Sequence, residues 1–206
     1  MSVGPVRAGL ELAEESELLS RLRAGDPSAF ESLICKYGPR MRASALRLLK
    51  NEEDADDVLQ DAFVSALRSL GSFEGKSHVE TWLHRIAINA ALMKLRSRRQ
   101  APEQELDEEL LPRFARTGAF AEPQRPWSEI PDEPALRDEL CREVRRRIDE
   151  LPEKYRIPLI LRDIEELSND QVAEALNVSV NAARIRIHRA RQALRTLIAP
   201  YFAPPE

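Results

Sequence analysis

The stretch Ser168–Arg195, SNDQVAEALNVSVNAARIRIHRARQALR, predicts two helices joined by a tight turn. Ser168 and Gln171 have the spacing of a capping box, and Ser179 stands where the second helix would begin. Asn177 occupies the turn, where a residue must often adopt a left-handed backbone that Asn tolerates better than most. This combination is typical of a helix-turn-helix.

The second helix of this motif carries a basic face. It holds five arginines and no acidic residue: Arg184, Arg186, Arg189, Arg191 and Arg195. Its apolar period predicts that Val180, Ala183, Ile187, Ala190 and Leu194 face inward. Its outward face would carry Asn181, Arg184, Ile185, His188, Arg189 and Gln192. Arginine can donate two hydrogen bonds to a guanine edge, and an apolar group can meet a thymine methyl. The pattern therefore indicates a DNA-reading helix, with a merely solvated cationic helix as the alternative.

The composition indicates an all-α protein. The 206 residues include seven glycines and 14 prolines, only 5% are aromatic, and runs of β-branched residues are few. The formal net charge is −4, so the protein as a whole lacks the basic character of many nucleic-acid-binding domains. Any contact with DNA must therefore rest on local basic patches.

Residues 101–134 separate the chain into two parts. This segment has six prolines, nine acidic residues and three arginines, and it shows no sustained apolar periodicity. Such a composition is typical of an extended, flexible linker. The sequence therefore predicts two small helical domains, at residues 16–100 and 135–199, joined by an acidic, proline-rich linker. Residues 1–15 are expected to form a loose tail.

The most regular apolar repeat lies in the first domain and predicts a long helix with one buried face. The repeat consists of Ala55, Val58, Leu59, Ala62, Phe63, Ala66, Leu67 and Leu70. Acidic residues crowd the start of this helix, where the helix dipole favours them. The dipole does not account for Asp57, Gln60 and Asp61, which project from the exposed side. They form either a solvated face or a docking surface for a basic partner.

The next helix, predicted from about His78 to Arg98, has the opposite chemical character. Its buried side would carry Trp82, Leu83, Ile86, Ala87, Ala90 and either Leu92 or Met93. Its polar and basic complement would be Arg85, Asn89, Lys94, Arg96, Arg98 and Arg99. No acidic residue occurs between Thr81 and Pro102. His84 lies at the edge of the core and is expected to be structural rather than a ligand.

The chain shows no pattern typical of an enzyme or a cofactor site. It contains no phosphate-binding loop, no nucleophile elbow and no His/Asp/Ser set. Cys35 and Cys141 lack metal-ligand spacing, so no metal site is predicted, and both are expected to be small buried residues. No apolar run approaches the roughly 20 residues of a membrane span, and the N-terminus lacks a signal pattern. A cytoplasmic location is predicted.

Two blocks of the sequence carry a resemblance to a known family. The first is DADDVLQDAFVSALRSLGSFEGKSHVETWLHRIAINAAL, Asp54–Leu92, and the second is LPEKYRIPLILRDIEELSNDQVAEALNVSVNAARIRIHRARQALR, Leu151–Arg195. In order and spacing they resemble bacterial RNA polymerase sigma factors of the sigma-70 family, extracytoplasmic-function (ECF) group. The resemblance implies a nucleoid-associated polymerase subunit, without enzymatic activity of its own, that directs promoter-specific initiation.

The resemblance also implies a role for each surface. Residues 16–100 would correspond to sigma region 2 and residues 135–199 to region 4. Asp57, Gln60 and Asp61 match positions that dock on the β′ clamp helices of core RNA polymerase, whose β flap is a second contact. The loop Ser72–Val79 would capture the melted −10 element, with Lys76, Ser77, His78, Trp82, Arg85 and Asn89 as DNA-binding residues. The −35 element would be read by Ser179, Asn181, Arg184, Ile185, His188 and Arg189. An anti-sigma protein is a further implied partner.

The recognition helix departs from the family pattern at two places. It begins Asn181-Ala182-Ala183 where Gly-Thr-Val is common, and Ile185 stands where a small polar residue is usual. The sequence therefore leaves the promoter preference open. Two other functions remain as alternatives: a stand-alone helix-turn-helix regulator with an N-terminal sensor or dimerisation domain, and a helical adaptor that binds only proteins.

Overall fold

A computed structural model of the protein describes residues 5–75, 77–98, 106 and 134–202, and all regular elements in these ranges are helical. The all-α class predicted from the sequence is confirmed. The chain divides into two compact units, residues 1–99 and 100–206. Apart from Leu106, which is buried, the predicted linker lies outside the described residues up to Pro134, where a helix begins. No helix of the described part has the length and apolar character needed to cross a membrane.

The first unit is built on three helices that pack against one another. They are α2 (Pro27–Leu49), α3 (Glu52–Ser69) and α4 (Val79–Arg98), and they are preceded by α1 (Pro5–Arg23), which packs on α2. A short 3-10 turn, Leu70–Ser72, follows α3 and leads into the loop before α4. Leu33, Met41, Leu48, Val58, Leu83 and Ile88 are among the residues that fill the core.

The boundaries of these helices follow from their capping residues. Asp26 accepts a hydrogen bond from the Ser28 amide at 2.9 Å, and Pro27 occupies the first position of α2. Lys50 ends α2 with a left-handed backbone (φ 55°). Asn51 then begins α3 by accepting from the Asp54 amide at 2.9 Å.

The N-terminal segment differs from the sequence-based prediction. Residues 5–15, expected to form a loose tail, belong to α1. Pro5 is tolerated in the first turn of a helix, and no further proline occurs before Pro27. The intervening sequence is rich in Leu, Ala and Glu, which have high helix propensity, so nothing in it ends the helix early.

Two positions in the predicted buried faces are exposed. Leu67 of α3 is 42% exposed, and of the two alternatives in α4, Leu92 is buried whereas Met93 is 66% exposed. The buried face of α4 is also rotated from the prediction, because it contains His84 and Ile88, while Trp82, Ile86 and Ala90 are only partly buried. The reason is that α4 packs against both α2 and α3, so that two neighbours determine which side is covered.

The prediction of two buried cysteines is wrong, because Cys35 and Cys141 are both exposed. Cys35 lies between the core positions Leu33 and Tyr37 on the outward side of α2. Cys141 likewise falls beside the half-buried Leu140 on the helix that begins the second unit. In both cases the helical period places nearby apolar side chains toward the core and the cysteine side chain on the exposed side of the helix.

In the second unit, three helices pack around the last long one. They are α5 (Pro134–Glu150), α6 (Glu153–Leu159) and α7 (Asn169–Leu176), and the central helix is α8 (Val180–Ile198). A 3-10 turn, Ala199–Phe202, follows α8. The core includes Tyr155, Leu161, Val172, Ala183, Ile187 and Ala190. Ala193, absent from the predicted inward face, is also buried, whereas Val180 and Leu194 are only partly covered.

The helix α6 is short. It stops at Leu159, and residues Ile160–Ile164 form a π-helical turn, in which the Glu165 amide donates to the Ile160 carbonyl at 3.0 Å. Pro158 lies inside α6 and removes one backbone donor just before the change of pitch. The wider turn leads the chain into the start of α7.

Candidate nucleic-acid interface

The turn between α7 and α8 has the geometry that the sequence predicts. The Ser168 amide donates to Gln171 Oε1 at 2.8 Å and the Gln171 amide donates to Ser168 Oγ at 3.2 Å, which completes the capping box. Asn177 ends α7 in the left-handed conformation (φ 53°, ψ 49°). Ser179 begins α8 by accepting from the Ala182 amide at 3.1 Å. These local interactions fix the angle at which α8 leaves α7.

The outward face of α8 is polar and cationic. Asn181, Arg184, His188 and Arg189 are exposed, and so is the apolar Ile185, which is 47% exposed. The buried residues of the same helix, including Ala183 and Ile187, lie on the opposite side. Within the described residues, Arg184 and Arg189 have no hydrogen bond or ion pair. The two guanidinium groups are therefore available to an external partner.

One arginine of α8 is held by the protein itself. Arg191 donates to the Asp163 carboxylate through Nε at 2.9 Å and through a terminal nitrogen at 2.5 Å. These hydrogen bonds raise the pKa of Arg191, so the guanidinium remains charged. Because Asp163 lies in the π-helical turn, this pair ties α8 to the segment that precedes the helix-turn-helix. Arg191 thus has a structural role that charge counting along the helix does not reveal.

In the first unit, the loop before α4 borders a cleft of about 430 Å³. The loop side is formed by Phe73, Glu74, Gly75, Ser77, His78 and Val79, and the other side by Glu15, Ser16, Leu19 and Arg23 of α1. Of the residues predicted to bind −10 DNA, Ser77 and His78 therefore lie on this cleft. Lys76 lies outside the described residues.

An aromatic pair supports the loop. The rings of Phe73 and Trp82 lie 4.6 Å apart between centroids and are tilted by 30°. Phe73 is almost fully buried and Trp82 is half-buried against the core. Arg23 donates to the Phe73 carbonyl at 2.8 Å and so joins α1 to the same loop. The loop is therefore anchored both by α4 and by α1.

Three further positions form one stripe along α4. Trp82, Arg85 and Asn89 are spaced by three and four residues, so they lie on one side of the helix, and Arg85 and Asn89 are exposed. A guanidinium and an amide beside a partly exposed indole offer charge, hydrogen bonding and a stacking surface, which are the properties that single-stranded nucleic acid requires.

The acidic residues at the start of α3 have different surroundings. Asp57, Gln60 and Asp61 are exposed as predicted, and they continue into the exposed apolar residues Val64 and Leu67. Lys94 of α4 lies 3.2 Å from the Asp57 carboxylate, and this contact raises the pKa of Lys94. By contrast, Asp61 and Gln60 have no hydrogen-bonding or ionic partner within the described residues.

The buried residue Asp54 neutralises part of the basic end of α4. Its carboxylate lies 3.5 Å from the Lys94 ammonium and also forms an ion pair with Arg98. Asp54 is 4% exposed, so it is shielded from solvent, and its interactions connect the start of α3 to the end of α4. Lys94 and Arg98, which were both predicted to belong to the basic side of α4, are thus engaged within the protein.

The contribution of α1 to the cleft was not predicted from the sequence. Glu15 accepts from the Val79 amide at 3.5 Å and lies 3.4 Å from His78 Nδ1, although 64 residues separate Glu15 from Val79. Such a contact leaves no periodic signal in the chain. The described residues contain no group of three or more His, Cys, Asp and Glu side chains that could hold a metal ion. His84, predicted to be structural, is buried and hydrogen-bonds Ser44 Oγ at 3.0 Å.

These features define a helical DNA-binding protein with a capped helix-turn-helix in one unit and an aromatic, polar cleft in the other. Comparison with known families makes the class specific. The model of sigma-70 region 2 matches residues 33–101, and the model of sigma-70 region 4 matches residues 141–194.

Individual relatives agree with these two matches. The chain is 36% identical over 188 residues to the RNA polymerase sigma-H factor of Pseudomonas aeruginosa. The aligned region covers 91% of this chain and 95% of the relative. It is 32% identical to the ECF RNA polymerase sigma factor SigW of Bacillus subtilis, over 86% of this chain and 92% of the relative. It is 34% identical to the ECF RNA polymerase sigma-E factor of Escherichia coli K12, over 92% of this chain and 97% of the relative.

Solved structures show the same fold. CnrH, determined in complex with the cytosolic domain of CnrY, covers 90% of this chain and 97% of its own at 27% identity, with a TM-score of 0.52. A second structure is that of the sigma factor RpoE of Bartonella quintana in complex with the anti-sigma factor NepR. The match covers 82% of this chain and 96% of RpoE at 20% identity, with a TM-score of 0.51.

The chain belongs to the sigma-70 family of RNA polymerase sigma factors and, within it, to the ECF group. It is therefore a sigma factor that directs promoter-specific initiation of transcription. The resemblance inferred from the two sequence blocks is confirmed, and the stand-alone regulator and the adaptor are set aside.

Proposed function

We propose that three separate surfaces of this sigma factor divide the work of initiation. Asp57, Gln60 and Asp61 dock on the β′ clamp helices of core RNA polymerase, the loop and cleft before α4 take the melted −10 strand, and α8 reads the −35 element. The observation that carries this proposal is the outward face of α8, which follows a fully capped turn. On this face Arg184 and Arg189, which have no partner within the described residues, lie beside the exposed Ile185.

The acidic face of α3 suits a basic protein partner. Asp61 and Gln60 are exposed without partners within the described residues, and the exposed Val64 and Leu67 extend the same side of the helix. A charged face that adjoins apolar groups offers both electrostatic steering and buried area to a docking protein. The second unit contacts the β flap in this scheme, which fixes both units on the polymerase.

The surface before α4 suits single-stranded DNA. A base leaving the stack needs a pocket with polar partners for its edge, and the strand needs cationic and stacking support. Ser77 and His78 line the cleft, while Trp82, Arg85 and Asn89 lie along the helix behind it. Lys76, which belongs to the same loop in sequence, is included in the proposal from its position alone.

The surface of α8 suits a major groove. Arg184 and Arg189 can each donate two hydrogen bonds to a base edge or a phosphate, and Ile185 can contact a thymine methyl. Asn181 and His188 add polar contacts on the same face. The amide groups at the N-terminus of α8, near Ser179, suit a phosphate. Each unit alone offers a limited basic area, so attachment to the polymerase raises the effective concentration of the second contact.

The proposal also includes an anti-sigma partner and a cellular location. An anti-sigma protein holds the sigma factor inactive by covering its polymerase-binding and DNA-binding surfaces. The protein acts in the cytoplasm at the nucleoid, and it catalyses no reaction itself, since sigma factors are not enzymes.

Reconstituted transcription tests the proposal. Core polymerase with and without this protein is supplied with a genomic DNA library, and transcript start sites are mapped. We expect start sites that share −35 and −10 sequences and that require both components. Start sites that do not change when the protein is added would overturn the proposal. Specific binding of the protein alone to duplex DNA, as strong as that of the holoenzyme, would favour a stand-alone regulator.

A further inference from the structure

Ile185 places a large apolar side chain on the outward face of α8. It is 47% exposed, and its neighbours three and four residues away on the helix surface, Asn181, His188 and Arg189, are exposed and polar. None of these three side chains forms a hydrogen bond or ion pair within the described residues. The buried Ile187 lies on the opposite side of the helix. The exposed part of Ile185 is therefore surrounded by polar groups and is available to an external partner.

The position of Ile185 is fixed from both sides along the helix. Before it, Ser179 caps α8 by accepting from the Ala182 amide at 3.1 Å, and after it, Arg191 is held by Asp163 through Nε at 2.9 Å. Isoleucine is branched at Cβ, so within a helix its side chain strongly prefers one rotamer. Ile185 thus presents a rigid apolar group in the first half of α8, the part of a recognition helix that contacts base edges.

The side chain of Ile185 can neither donate nor accept a hydrogen bond. Against a purine it would cover polar groups of the base edge without replacing their hydrogen bonds to water, which is unfavourable. The apolar group that a base pair presents in the major groove is the C5 methyl group of thymine. Ile185 therefore suits a C5 methyl group, and its own chemistry does not distinguish a carbonyl from an amino group at C4 of the same base.

Thymine carries O4 beside its methyl group, whereas cytosine carries an N4 amino group and gains a methyl group at the same ring position when it is converted to 5-methylcytosine. We propose that Ile185 is a specificity-determining residue that recognises the C5 methyl group of a pyrimidine in the −35 element, whether thymine or 5-methylcytosine carries it. Methylation of cytosine at this position therefore strengthens the promoter. This inference rests on the proposed recognition of the −35 element by α8, and it adds the chemical group that Ile185 selects.

The test uses holoenzyme formed from core polymerase and the full chain. Selection from promoters with a randomised −35 region, with the wild-type protein and with Ile185→Ser, identifies the base pair at which the two preferences differ. Promoters with thymine, uracil, cytosine or 5-methylcytosine at that position are then compared for affinity at one salt concentration. The wild-type protein should prefer thymine to uracil and 5-methylcytosine to cytosine, each by about fourfold, the factor that burial of one methyl group gives.

Three variants identify the residue responsible. Ile185→Ser removes the apolar surface and should abolish both preferences, whereas Ile185→Val keeps a β-branched apolar side chain and should retain them. Ile164→Ser makes the same change at another partly exposed isoleucine, outside α8, and should also retain them. A methyl group can alter the shape and stiffness of DNA as well, but an effect of shape alone would be equal in all variants. Thermal melting of each free protein records any effect on folding.

The outcomes separate this inference from the proposed function. If the holoenzyme selects a −35 sequence but does not distinguish thymine from uracil at any position, the inference is wrong and the proposed function stands. Methyl preferences that persist in Ile185→Ser would assign them to another residue or to DNA shape. A preference for thymine over uracil without one for 5-methylcytosine over cytosine would overturn recognition of the methyl group itself. If the holoenzyme selects no −35 sequence, the proposed role of α8 fails, and the inference fails with it.

Discussion

Lys94 of α4 reaches across to Asp57 of α3, with 3.2 Å between its ammonium nitrogen and the nearer carboxylate oxygen. Asp57 therefore lies on the exposed surface of the first unit and also joins α3 to α4 through this ion pair. Asp61, one turn further along α3, is exposed and has no such partner within the described residues. The two carboxylates, which are equivalent in the sequence pattern, are thus expected to respond differently to substitution.

Charge reversal at these two positions should separate docking from folding. Asp61→Arg should weaken binding to core polymerase at least tenfold, a loss of about 1.4 kcal/mol, with an unchanged melting temperature, because it places a cation on the docking face without breaking an internal contact. Asp57→Arg should weaken binding and also lower the melting temperature, because it sets a second cation beside Lys94. Affinity for core is measured by fluorescence anisotropy.

Glu31→Arg provides the control for this experiment. Glu31 is exposed on α2, so the change in net charge is the same at a site outside the proposed docking face. Equal losses of affinity in Glu31→Arg and Asp61→Arg would mean that overall charge, rather than the α3 surface, governs binding.

Arg184 and Arg191 offer a second contrast within one helix. Arg184→Ala should reduce discrimination at one −35 base pair by about 1–3 kcal/mol, because a bidentate contact with the base is lost. Arg184→Lys should retain affinity from phosphate attraction but not the discrimination, because an ammonium group cannot form the planar fork. Arg191→Ala should weaken all sites alike, because it removes the contact with Asp163. Selection of −35 sequences by each reconstituted holoenzyme measures these effects.

An unchanged −35 preference in Arg184→Ala would remove this residue from base readout. A new preference in Arg191→Ala would show that Arg191 contacts DNA in the holoenzyme despite its pairing with Asp163.

The helix-turn-helix could be predicted from sequence because its determinants are local. The capping pair Ser168 and Gln171 and the left-handed Asn177 all act over a few residues, and each has the conformation that its chemistry favours. The same holds for Asn51, which begins α3. Local hydrogen bonds and helical period were therefore sufficient for the fold class and for the exposed, cationic face of α8.

Other features depend on neighbours that are distant in sequence. The rotation of the α4 face toward His84 and Ile88 follows from its simultaneous contact with α2 and α3, and the position of Glu15 beside Val79 follows from how α1 packs. The exposure of Cys35 shows the limit of residue statistics, because a cysteine is buried only if its helical position faces the core. Pairing of Arg191 with Asp163 likewise requires the folded structure.

The conformation of Asn177 leads to a prediction about stability. Asn177→Ala should lower the free energy of unfolding by roughly 1 kcal/mol, because alanine keeps the unfavourable contact between Cβ and the following carbonyl oxygen but lacks the short polar side chain that compensates for it locally. Asn177→Gly should be neutral or slightly stabilising, because glycine adopts this conformation without that contact. Urea denaturation of both variants gives the comparison. A stable Asn177→Ala protein would indicate that the turn rearranges at little cost.

The network around Glu143 predicts how stability depends on pH. Hydrogen bonds from Arg146, then from Tyr201 and Arg147, lower the pKa of Glu143 from 4.5 to about 2. Arg147 also donates to the Tyr201 hydroxyl at 2.7 Å, so the carboxylate helps to join α5 to the turn that follows α8. A carboxyl group whose pKa is lowered by folding stabilises the folded state above its unfolded pKa, and this contribution is lost as the pH falls toward the folded value.

Glu143→Gln should therefore melt below the wild-type protein at neutral pH, and the difference should shrink as the pH falls from about 5 to about 3. Glu139→Gln, at an exposed position on the same helix, should melt like the wild type throughout. Differential scanning calorimetry across this range measures both differences. A gap between Glu143→Gln and wild type that stays constant with pH would mean that Glu143 stabilises the unit through packing or neutral hydrogen bonding, because a charge-dependent contribution must disappear when the carboxylate is protonated.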